Sequence, residues 1–180
     1  MDAFEEIIGK LLEEEQYWIR HSVKIDLTKD EKKKIGKPTT PRPEIDIVVY
    51  DIPKNTIYLL EVKSYLDSKG VALKKLRINT KVQKGKYKLL TSSNYRTILT
   101  NRLKEDWVRV GAIKGTTVVS YGLIAGKVYQ GKEQEVRQLF EGKGWLFWGP
   151  TEIREKIEKL AQKGYENDPV TIVCKLLMRK

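Results

Sequence analysis

Three residues on neighbouring segments carry chemistry that none would carry alone: Asp46, Glu61 and Lys63. In Pro43-Glu44-Ile45-Asp46-Ile47-Val48 a two-residue period puts Glu44, Asp46 and Val48 on one face. In Tyr58-Leu59-Leu60-Glu61-Val62-Lys63 the same period puts Leu59, Glu61 and Lys63 on one face. If the two segments pair antiparallel across the intervening turn, Asp46 and Glu61 meet at one end of the sheet with Lys63 beside them. Two carboxylates held together repel, which favours a divalent cation between them. An all-oxygen donor set without His or Cys points to Mg²⁺, with Mn²⁺ as the substitute. A lysine beside such an ion can position, and help deprotonate, an attacking water, which is equipment for phosphodiester hydrolysis.

An acidic-x-Lys triplet by itself means little. The chain has five, beginning at Asp30, Glu31, Glu61, Asp67 and Glu141, and only the one at Glu61 closes an apolar strand paired to another strand that carries an acid. The competing reading is an edge ion pair, Glu61–Lys63 or Asp46–Lys63. It explains one acid and one lysine but not why three charged groups converge where desolvation is costly.

Asp46 followed by Glu61-Val62-Lys63 on the next strand, after an N-terminal helix, resembles the PD-(D/E)xK nuclease superfamily, which has the restriction-endonuclease-like fold. The resemblance implies an α/β protein with a mixed central sheet flanked by helices, core order αβββαβ, and an α/β C-terminal extension. It implies Asp46 and Glu61 as ligands of a catalytic Mg²⁺ and Lys63 as the residue that handles the water. It also implies a helix acid, for which Glu5, flanking the apolar stripe, ranks above Glu6. Homodimers that cut both strands are a further implication. One departure is that the proline does not adjoin Asp46, because Glu44-Ile45 intervenes; Glu44 is then an extra outer acid, or the metal site is displaced.

The elements that must position these residues follow from periodicity. Phe4, Ile7, Ile8, Leu11 and Leu12 form one helical stripe. From Tyr17 the period becomes two, so that Tyr17, Ile19, His21, Val23 and Ile25 face one way on a half-buried strand. Residues 29–43, polar and closed by Pro38, Pro41 and Pro43, read as an exposed loop. The run 45–50, turn chemistry at 51–55 and the run 57–62 predict a hairpin. A long helix is predicted over about 94–110. Residues 117–129 read as a strand pair or one strand broken near Gly126. A helix over 133–140 and a buried strand over 145–148 follow. Thr151 is the expected N-cap of a helix ending at Gly164, and Asp168-Pro169 opens a last helix to about Met178. No repeat or linker divides the chain, so residues 1–180 read as a single nuclease-like domain, with residues 130–180 as the extension.

Residues 64–92 form a basic arm or loop. They hold Lys69, Lys74, Lys75, Arg77, Lys81, Lys84, Lys86 and Lys88 against one acid, Asp67, a large share of the chain's formal charge of +11. A cationic segment beginning directly after Lys63 suits a phosphate backbone, with Tyr65 and Tyr87 interleaved and Arg96, Arg102 and Lys104 as a continuation. The expected partner is therefore DNA, branched or single-stranded forms included. The reading is a Mg²⁺-dependent endodeoxyribonuclease; the alternatives are a nuclease-like nucleic-acid-binding protein without catalysis, or a structure-selective or RNA-directed nuclease.

Composition narrows the rest. At 180 residues, 40% hydrophobic and 33% charged, the chain is a globular sequence. No apolar run approaches the roughly 18–20 residues of a membrane span, and the acidic N-terminal segment is no secretory signal, so no membrane and a cytoplasmic location are expected. Cys174 and His21 are the only residues of their kinds, which excludes a disulfide framework and a zinc finger and strains any triad. His21 and Cys174 read as core residues, and Trp145 and Trp148 as core rather than stacking platforms. Abundant Lys, Arg, Glu and Ile with few Cys, Met or His matches thermophile composition, which accounts for some charge without a partner.

Overall fold

The expected hairpin forms the middle of the sheet in the computed structural model, which describes residues 2–39, 41–78 and 86–178. In chain order the elements are α1 (Ala3–Glu14), β1 (Trp18–Lys24), α2 (Lys29–Lys34), β2 (Glu44–Asp51), β3 (Thr56–Lys63), α3 (Leu73–Leu76), α4 (Lys88–Thr91), α5 (Ser93–Arg109), β4 (Val118–Ala125), α6 (Glu133–Glu141), β5 (Leu146–Trp148), α7 (Pro150–Gln162) and α8 (Pro169–Met178), with a 3₁₀ turn at Tyr129–Gly131. The strands line up in the order β1-β2-β3-β4-β5; β1, β2 and β3 are antiparallel neighbours, and β4 and β5 continue in parallel. The protein is α/β, a five-stranded mixed sheet with flanking helices, as expected.

Local chemistry explains the hairpin. The Asp51 carboxylate accepts from the Lys54 backbone N–H at 3.2 Å and from its ammonium at 2.8 Å, and Asn55 adopts the left-handed φ of 47° that the turn needs. One sheet face buries Ile47, Val49, Leu60, Val62, Ile124 and Trp148 under α1, α7 and α8. From α1 come Ile8, Leu11 and Leu12, whose burial contributes about 1.5–3 kcal/mol each. The other face buries Val48, Ile57 and Leu59 under Leu99 and Leu103 of α5. A third cluster joins Leu76, Tyr87, Leu90, Val136 and Phe140 to Leu123 and Phe147, and so ties α3, α4 and α6 to the far half of the sheet.

Three expectations need correction. Residues 29–43 are not loop throughout: α2 forms because Thr28 and Glu31 make a capping box, and Arg102 of α5 grips the Glu31 carboxylate at 3.0–3.2 Å. Thr151 is not an N-cap. Gly149 caps α7, Pro150 takes its first position, and Glu133 accepts from both the backbone N–H and the hydroxyl of Thr151. The apolar row of β1 also divides. Tyr17 and Ile19 pack on the α1 side, whereas Val23 and Ile25 pack on the α5 side, because Ser22 at φ 50° turns the strand between them. Farther on, β4 is one strand that ends before Gly126. A side chain there is blocked: its Cβ would stand 2.5 Å from the Ser64 carbonyl oxygen.

Candidate active site

Asp46 and Glu61 stand where β2 and β3 part company. The ladder's last pair at this end is Ile47 with Leu60. One step on, the Asp46 side chain replaces backbone pairing, its Oδ2 accepting from the Val62 N–H at 2.8 Å. The same oxygen lies 2.6 Å from Lys63 Nζ, which also lies 3.0 Å from Glu61 Oε2. One ammonium thus bridges both carboxylates, whose oxygens are no farther apart than those two distances laid end to end. The Asp46, Glu61 and Lys63 side chains are 21%, 17% and 22% exposed, enough for solvent to reach the site while much of their hydration is lost.

The electrostatics follow from that crowding. Burial pushes the Glu61 carboxyl above its ordinary range; Lys63 and Lys88 pull it down and Asp46 pushes it up. Burial alone would favour a neutral Lys63, but Glu61 and Asp46 outweigh it and hold the lysine well above its ordinary range. In this arrangement Lys63 is a hydrogen-bond donor and a cation rather than a base.

Of the two helix acids, Glu5 is half-buried and Glu6 exposed. Glu5 closes the capping box of α1: its Oε2 accepts from the Asp2 N–H at 3.3 Å, while its own N–H donates to Asp2. Burial, then the charges of Asp46 and Asp2, push its carboxyl upward. Glu44 is exposed and pairs in register with Lys24 of β1. Among the described residues no group of three or more His, Cys, Asp or Glu side chains is drawn together as a metal site.

The basic residues divide. Lys69, Lys74, Lys75, Arg77 and Lys86 are exposed, with Lys86 lying 5.7 Å from the centre of the Tyr65 ring. Lys88 is half-buried, and its charge faces Glu61. Lys81 and Lys84 lie outside the described residues. The continuation expected along α5 is engaged elsewhere. Arg96 stands over the Tyr121 and Trp145 rings and donates to the Leu89 and Leu90 carbonyls; Arg102 holds Glu31; Lys104 donates to the Thr117 carbonyl.

The structure adds residues that periodicity did not mark. The Lys37 ammonium, beyond α2, meets Lys88, and that contact, with burial, holds Lys88 below the ordinary lysine range. Tyr95 is pushed up to about 12 by burial and by Glu61. Tyr87 is raised by burial and by its hydrogen bond with Tyr65. Ser22, between the His21–Ile47 and Val23–Ile45 pairs of β1 and β2, has a buried hydroxyl without a hydrogen-bond partner among the described residues. Only the capping pattern Thr28-x-x-Glu31 signalled in the sequence that the chain before Lys37 would be ordered.

The donor set fits a hard divalent ion. Asp46 and Glu61 are the two carboxylates that could hold it, both oxygen donors with no soft ligand beside them, and in this structure the Lys63 ammonium stands between them. Two protein carboxylates also suit Mg²⁺, which keeps much of its shell as water and phosphate oxygen. Comparison with protein-family models, with curated proteins and with solved structures gives no match for this chain.

Proposed function

We propose that the chain is a Mg²⁺-dependent endonuclease that hydrolyses phosphodiester bonds of DNA, of the restriction-endonuclease-like class. The observation that carries this reading is the single Lys63 ammonium held between Asp46 and Glu61 at the open end of two buried strands. Asp46 and Glu61 would hold Mg²⁺, which supplies Lewis-acid charge and an acidified water. Asp46 is itself oriented by the Val62 N–H, so its position is set by backbone rather than by a mobile side chain. Lys63, once its contacts with the carboxylates loosen, donates to the attacking water and to the phosphoryl oxygens that gain charge. Glu5 adds a third carboxylate within electrostatic reach of Asp46 and would be the acceptor for the water's proton. Lys88, Lys37 and the exposed bases at 69–77 give the polyanion a cationic approach.

The test is nicking of supercoiled plasmid with Mg²⁺, with Mn²⁺ and with chelator. Wild type nicks only with metal, and Asp46→Asn and Lys63→Ala lose at least about a hundredfold in rate. Equal nicking by wild type and Lys63→Ala defeats the assignment. One observation favours a second reading: Lys63 pairs with both acids, as in a structural ion cluster. Salt-dependent DNA binding with no metal-dependent cleavage of any substrate selects that binding protein instead.

A further inference from the structure

Beyond β3 and β4 the chain pairs once more. Val71 N–H donates to the Lys127 carbonyl and Tyr129 N–H to the Val71 carbonyl, each at 2.9 Å, so Val71 and Val128 form an isolated parallel bridge. That bridge fixes α3 beside the 3₁₀ turn Tyr129–Gly131 and opens a cleft of about 420 Å³ between them. Among the described residues its wall includes Lys74, Arg77, Lys132, Tyr129 and Gln130, three cations and no acid. Glu133, the acid next in sequence, is turned away onto Thr151 and Arg137. Tyr129 is half-buried, and Gln130 sits at φ 57°. Because residues 71 and 128 follow the carboxyl ends of β3 and β4, the cleft lies off the same end of the sheet as Glu61 and Lys63.

We propose that this cleft seats one unpaired nucleotide of a nucleic-acid strand, its phosphate on Lys74, Arg77 and Lys132 and its base against Tyr129. The inference rests on the nucleic-acid reading of the candidate site for its ligand class, but not on catalysis. A cationic groove with an aromatic wall is how single strands are held without sequence readout. The volume falls in the small-ligand range of about 300–1,000 Å³, which admits a nucleotide and excludes a base-paired helix. Tyr129, Gln130 and Lys132 come from the second half of the chain, which thereby joins the interface.

Fluorescence anisotropy with a labelled oligo-dT and a blunt duplex of equal length, in chelator, tests the inference on the full chain carrying Lys63→Met. Tyr129→Ala should weaken oligo-dT binding about fivefold to a hundredfold, with Tyr129→Phe near the parent and duplex binding little changed. Arg77→Gln with Lys132→Gln should lower the oligo-dT salt slope by about 1.4, at about 0.7 per lost phosphate contact. Unchanged oligo-dT affinity in folded Tyr129→Ala, or an equal loss on duplex, overturns the inference. If Tyr129→Ala loses oligo-dT binding while otherwise unaltered protein cleaves nothing, the cleft stands and the nuclease reading falls.

Discussion

Replacing Lys63 with Met removes the bridging ammonium while keeping much of the side chain's length. Asp46 and Glu61 then confront each other with oxygens that shared one ammonium at 2.6 Å and 3.0 Å. At an effective dielectric constant of about 20, two like charges about 5 Å apart repel by about 3 kcal/mol. Burial, which already raises Glu61, is no longer opposed by Lys63. Lys63→Met should therefore be about 2–3 kcal/mol less stable than wild type at pH 8, or roughly 5–10 °C in Tm. The sign with pH is fixed. A carboxyl raised in the folded state above its ordinary 4.5 stabilises at low pH and loses that contribution as pH rises through the folded value. The deficit should thus be small near pH 4.5 and widen toward pH 8. Denaturant titrations in chelator measure it. Glu61→Gln added to Lys63→Met should recover most of the loss, and millimolar Mn²⁺ should raise the Tm of Lys63→Met more than that of wild type, because the ion replaces the missing cation. A deficit that is flat with pH, unrelieved by Glu61→Gln and unmoved by Mn²⁺, refutes the shared-cation reasoning.

Other expectations follow from named contacts. Glu5→Gln keeps an acceptor for the Asp2 N–H, so stability should change by less than about 0.5 kcal/mol while plasmid nicking falls at least about tenfold; unchanged nicking removes Glu5 from the site. Gly126→Ala forces a methyl group to 2.5 Å from the Ser64 carbonyl oxygen and 3.2 Å from the Phe4 ring. It should cost about 1–3 kcal/mol by denaturant titration and reduce nicking by shifting the start of α1, and wild-type behaviour in both assays contradicts that packing. His21 is held below its ordinary 6.5 chiefly by burial, so its contribution to stability is present above pH 6.5 and is lost as pH falls through the folded value. His21→Leu should flatten the acid limb of a Tm-against-pH profile, and an unchanged limb places the acid sensitivity elsewhere.

How far the chain can be read without coordinates depends on how local the cause is. The hairpin was legible because alternation over 45–50 and 57–62 and the Asp51-to-Asn55 turn act within a few residues, and the register of a short turn then places Asp46 across from Glu61. The helix at residues 3–14 and the cationic excess of residues 64–92 were legible for the same reason. Thr151 went astray because cap chemistry at one residue yields to Pro150, whose fixed φ already suits a first helical position. Only the tertiary structure decided that Lys63 spans both acids, that Lys37 reaches Lys88, that Arg102 is occupied by Glu31, and that Tyr129 and Lys74 line one cleft. In those pairs joined across long stretches of chain, sequence patterns specify which face a residue takes on its own element. Where two such faces meet is set by how the buried layers pack, and that is a property of the whole folded chain.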